Sequence, residues 1–104
     1  MTLPKVIYVG TADYEVKQKG QLDLLGETRS EHAEILIRRK QAPSVKRETL
    51  MHELLHAIIY ASGMVHHFKL DHDTEEELVS ALSPWILQLL RDNPYLVEYL
   101  TERA

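Results

Sequence analysis

No cysteine occurs in the 104-residue chain. A disulfide framework and a thiolate metal site are therefore both excluded, and any metal must be held by histidine or carboxylate. Basic surplus is missing as well: 12 Lys and Arg stand against 16 Asp and Glu, a formal net charge of −4. Neutralising phosphates requires an excess of cations, so we expect no nucleic-acid partner. The one basic stretch, Arg38-Arg39-Lys40 with Lys46-Arg47 beyond it, reads as a solvated strand end and first helical turn. Long hydrophobic runs are absent, and Met1 to Ile7 carries neither a basic leader nor a cleavage pattern. A cytoplasmic protein with no membrane association is the expectation. With 44% apolar and 27% charged residues, the chain has the balance of one ordinary globular domain spanning 1–104.

Short β-branched and aromatic runs mark the first half. Val6 to Val9 closes on Gly10, Tyr14 to Lys17 alternates before Gly20, and Glu34 to Arg38 is apolar at its centre. These predict about three strands. Between Gln18 and His32 the pattern is weakest and reads as a loop or a single helical turn. From Pro43 onward the period changes. Ser44 is the expected N-cap and Gly63 the expected left-handed terminator of a helix from about Val45 to Ser62. Met64 to His72 then reads as a loop with Asp73 or Thr74 capping a second helix. Leu78, Val79, Leu82, Trp85, Ile86, Leu89 and Leu90 recur at three- and four-residue spacing. This stripe is expected to pack on the first helix, with a possible kink at Pro84. Asn93-Pro94 ends it, and Tyr95 to Leu100 suggests a short terminal helix.

Within the first helix lies His52-Glu53-Leu54-Leu55-His56. Imidazoles four residues apart project from one helical face and can reach a single metal ion. Glu53, one position on, can hold a water and take its proton. The flanking Leu50, Met51, Leu54, Leu55 and Ala57 to Ala61 leave no broad polar face, so the helix is expected to be buried. A metal would satisfy both imidazoles there.

A catalytic zinc needs a third protein ligand and an open position. A histidine six residues after His56 would give the metzincin set, but that position is Ser62. The alternative is a glutamate on the following helix, where Glu75-Glu76-Glu77 stands. Two arguments compete. On the helical wheel Glu75 lies nearest the apolar stripe and Glu77 points away. Spacing favours Glu76, with nineteen residues between it and His56 and an E-x-x-V step to Val79, similar to the thermolysin-like pattern. Glu76 is the preferred ligand and Glu75 the alternative. Without any metal, such a triplet also complements the positive end of a helix. His66 or His67 as ligand would give a three-histidine site of the SprT-like type, whose Gly-His-Gly context is absent.

The run Glu48 to Ile58, Gly63, the glutamates before Val79 and the closing Leu90-Arg91-Asp92-Asn93-Pro94 together resemble small phage and prophage metallopeptidase-like proteins, related to the ImmA/IrrE-type gluzincins. The resemblance covers roughly residues 34 to 94. It implies an α+β, minimal zincin-like fold: a small sheet, an active-site helix and a glutamate helix. It further implies zinc as cofactor, held by His52, His56 and a glutamate of the following helix, a peptide or protein substrate, and Glu53 activating the zinc water that hydrolyses a peptide bond. In zincins the substrate strand commonly lies along the sheet edge beside the active helix, which would give Glu34 to Arg38 a binding role. Tyr60, His66, His67 and His72 are candidates for stabilising an oxyanion.

Two other readings use the same residues. A zinc-stabilised protein-binding module would need the ligands but not the base, and retention of Glu53 speaks for chemistry. A zinc hydrolase acting on a non-peptide amide would use the whole constellation unchanged. Oligomeric state and substrate identity are not encoded in any pattern found.

Overall fold

The computed structural model describes residues 1–103 as an α+β arrangement, a four-stranded mixed sheet followed by four helices. Strands β1 (Val6–Val9), β2 (Ala12–Lys19), β3 (Gly26–Arg29) and β4 (Glu34–Arg38) lie in the order β1-β2-β4-β3. β1 and β2 form an antiparallel hairpin, β4 runs parallel to β2, and β3 is antiparallel to β4. The chain thus leaves β2, forms the far edge first, and returns to fill the gap. Gly10, at φ +62°, supplies the left-handed position in the hairpin turn.

β3 corrects the expectation of three strands. It falls in the stretch read as a loop or helical turn, and that stretch holds both this strand and a short 3-10 turn at Ser30–His32. Its sequence, Gly-Glu-Thr-Arg, lacks apolar alternation because it is an edge strand whose contact with the layer behind is made by a glycine and a threonine.

Core packing lies between the sheet and the first long helix, α1 (Pro43–Ser62). Tyr14, Ile35 and Ile37 on the sheet and Ala57 on α1 form its buried centre, with Leu3, Val9, Val16, Leu50 and Leu54 around it. The helix starts two residues before the expected Val45. Ala42 is the N-cap and makes no side-chain cap bond, so Ser44 does not serve; Pro43, at the first turn, presets the backbone instead. Gly63 ends the helix at φ +76°, its N–H donating to the Tyr60 carbonyl. α1 is not buried all round as expected: Ile58 and Tyr60 are exposed, because sheet and helices cover only part of its circumference.

Beyond Gly63 the expected loop contains a single turn of helix, α2 (Met64–His67). Asp71, rather than Asp73 or Thr74, caps α3 (His72–Asp92), accepting from the Thr74 N–H at 2.7 Å. Pro84 lies inside α3, and the side chain of Asn93 donates to the Leu89 carbonyl where the helix ends. α4 (Pro94–Thr101) closes the fold. Among the described residues no helix is long and apolar enough to cross a membrane.

α3 packs on α1, but through only part of the predicted stripe. Val79 and Ser83 are its buried positions, whereas Leu78, Leu82, Trp85, Leu89 and Leu90 are exposed. The period was legible and the inward face was not. Where α3 meets α1 the contact is partly polar, so hydrophobicity does not point to it.

Candidate metal centre

α1 carries His52 and His56 on the side that meets α3, their ring centroids 5.1 Å apart. Across from them the start of α3 presents Glu76. Its two oxygens divide between the histidines: Oε1 lies 2.7 Å from His52 Nε2 and Oε2 2.9 Å from His56 Nε2. One donor atom from each of the three residues lies within 4.8 Å of the others, a group that could hold a metal ion. The set is two neutral-capable imidazole nitrogens and one carboxylate oxygen, matching the His₂Glu donor chemistry of zinc sites that keep a position open. Sequence spacing had brought out the same three residues.

Glu75 occupies a different place. Its Oε2 lies 2.5 Å from His56 Nδ1, on the ring nitrogen opposite the one that faces Glu76. His56 therefore has a carboxylate at each nitrogen. The wheel argument for Glu75 took its centre from the exposed stripe; centred on the buried Val79 and Ser83, the two glutamates fall on either side of the packed face, and both reach α1. Glu77 is exposed, as are His66 and His67 on α2, and none of the three joins the group.

Glu53 points from α1 toward the sheet edge. It is only 7% exposed, and Thr28 on β3 donates to its Oε1 at 2.7 Å. Burial raises the carboxyl above its ordinary value; the Thr28 hydrogen bond and the neighbouring His52 and His56 work in the opposite direction. A carboxylate with raised proton affinity, fixed beside two candidate ligands, has the chemistry to accept a proton there. Gly26 makes this possible. A Cβ there would stand 2.7 Å from Thr49 Cγ2 and 3.0 Å from Glu53 Cγ, so β3 can approach α1 closely only without a side chain. Neither Thr28 nor Gly26 carried a signal in the sequence, since each meets Glu53 only through the strand that the sequence did not reveal.

A cleft of about 900 Å³ opens over these groups, walled by β3, α1 and α3. Tyr60 and His72 line it, while His66 and His67 do not, which narrows the oxyanion candidates to the first two. Glu34 to Arg38 cannot take an added strand: β4 is bonded on one side to β2 and on the other to β3. β3 is instead the edge beside the cleft, and its outer side pairs with no other strand among the described residues. No family model, curated protein or solved structure matches this chain.

Proposed function

We propose that the protein is a minimal zinc-dependent peptidase of the gluzincin type, with His52, His56 and Glu76 holding zinc and Glu53 as general base. The observation that carries this reading is the convergence of the two Nε2 atoms on one carboxylate, with a separate buried carboxyl next to them. A structural site would need the first feature and not the second. Zinc, when bound, supplies a Lewis acid that acidifies water and polarises a carbonyl.

The rest falls to the chain's own groups. Thr28 holds one oxygen of Glu53, which fixes the direction from which the carboxylate takes a proton. The raised proton affinity of Glu53 makes it a stronger base, suited to accept that proton and return it to the leaving amine. An extended peptide fits the cleft by pairing with the free edge of β3, whose backbone would supply affinity without dictating sequence. Tyr60 and His72, on the cleft wall, are the donors we assign to a developing oxyanion. Resemblance to the phage and prophage metallopeptidase-like proteins supports the same conclusion.

A second reading, a zinc-stabilised protein-binding module, draws support from the exposed apolar stripe on α3. Glu53→Gln separates the two. The amide keeps the shape but cannot act as the base, so a peptidase keeps its zinc and fold and loses at least a hundredfold in turnover, about the contribution of general base catalysis. Zinc content, melting temperature and cleavage of a proteome-derived peptide library, followed by mass spectrometry, form the readout. Wild type that binds zinc and cuts nothing in that library would overturn the peptidase and leave the binding module or a hydrolase of non-peptide amides.

A further inference from the structure

We propose that Glu75 is a positioning residue that fixes the ring tautomer of His56, and not an alternative metal ligand. This deepens the metal-centre reading above and rests on it. A neutral imidazole carries one N–H, and the nitrogen that keeps it determines which one offers a lone pair. His56 Nδ1 lies against Glu75 Oε2, and a carboxylate can only accept there. Glu76 is an acceptor at Nε2 as well, but at 2.9 Å against 2.5 Å, more exposed than Glu75 and shared with His52, so the single proton is held at Nδ1. Nε2 is left with its lone pair directed at the space shared with His52 Nε2 and Glu76.

Position confirms the division of labour between neighbouring glutamates. Glu75 and Glu76 sit on opposite sides of the same ring, so the Glu75 carboxylate would have to cross the imidazole to reach an ion between the two Nε2 atoms. The Glu75 and His56 side chains are 20% and 14% exposed, more enclosed than Glu76 at 44%, so water competes little for this hydrogen bond. Among the described residues His52 has no comparable outer carboxylate; Glu76 is the one carboxylate hydrogen-bonded to its ring. The arrangement is that of a carboxylate–histidine–metal relay, in which the outer carboxylate aims the ligand and raises its basicity.

Ring-nitrogen NMR of the metal-free protein above pH 8, with the His56 signal assigned by a His56→Asn variant, tests the tautomer directly. Wild type should show His56 protonated at Nδ1, and Glu75→Ala should lose that preference. Glu75→Gln should keep part of it, because an amide oxygen still accepts but competes less well with the Glu76 carboxylate at Nε2. Zinc titration against a competing chelator gives the second arm: Glu75→Ala should weaken binding ten- to a hundredfold while retaining one zinc per chain, with Glu75→Gln close to wild type. An unchanged tautomer or unchanged affinity in Glu75→Ala overturns the proposal, and so does loss of stoichiometric zinc in both variants, which would make Glu75 a ligand. Wild type that binds no zinc at all would remove the metal centre, and the ligand-aiming role of Glu75 with it, while the NMR arm would still report the state of the His56–Glu75 pair.

Discussion

At the scale of single residues, the site combines groups with opposed requirements. His52 and His56 need a partner for their inward nitrogens, and Glu76 or an ion can serve. Replacing either histidine by alanine should abolish stoichiometric zinc, since two remaining donors do not hold a catalytic ion; elemental analysis after dialysis checks this. Glu53 carries a cost instead. Its carboxyl is raised in the folded protein by burial, so below the ordinary glutamate value of about 4.3 it is protonated in both states. As pH climbs through the folded value, ionisation inside the protein removes stability. Glu53→Gln should therefore melt higher than wild type at pH 7 in the metal-free protein, and the gain should shrink to nothing near pH 4. Thermal melts across that range, run in the presence of a chelator, measure it; a gain that grows toward low pH would contradict the assignment of burial as the dominant cause.

Among elements, the contact between β3 and α1 governs the site. The strand supplies Thr28 to Glu53, and it can do so because Gly26 lets the backbone come close. Thr49, the nearest neighbour of Gly26, is buried, and its hydroxyl is tied to the Val45 carbonyl, so its methyl has little freedom to withdraw. Gly26→Ala should cost about 1–3 kcal/mol in denaturant unfolding, the usual penalty for overpacking. The same substitution should also displace Glu53 and lower turnover more than it lowers zinc affinity, because none of the three candidate ligands lies on β3. The α1 helix itself was legible in advance in its existence and its Gly63 end, and the spacing of its histidines follows from 3.6 residues per turn, whereas its start lies at Pro43 and not after a Ser44 cap.

Over the whole molecule, apolar surface is unevenly distributed. The buried core is small and centred on Tyr14, Ile35, Ile37 and Ala57, whereas α3 and α4 leave large side chains in water, among them Leu82 at 50% and Trp85 at 73% exposure. Mutations should follow this division. Ile37→Ala should cost about 2–5 kcal/mol and Leu82→Ala well under about 1 kcal/mol, both read from denaturant unfolding. Trp85, the single tryptophan, should fluoresce like indole in water and be quenched freely by iodide. Blue-shifted emission with poor quenching, at a concentration where light scattering reports a larger particle, would mean that the stripe is covered by another copy.

What the sequence determined by itself was local. Helical periodicity placed His52, Glu53 and His56 on one stretch of helix, and spacing put Glu76 within range, because a rigid helix converts sequence separation into direction. The strands at Val6 to Val9 and Glu34 to Arg38 were readable from their β-branched and apolar runs; their register was not. Tertiary structure decided what depends on contacts between distant segments: that Gly26–Arg29 is a strand, that β4 is central and β3 the edge, that Thr28 holds Glu53 across 25 residues of chain, and that Glu75 faces the far nitrogen of His56. It also decided which side of α3 turns inward. A hydrophobic stripe marks where apolar surface could be buried, but α3 is held against α1 at Val79 and Ser83 next to a polar site, so its most apolar face is the one that meets the solvent.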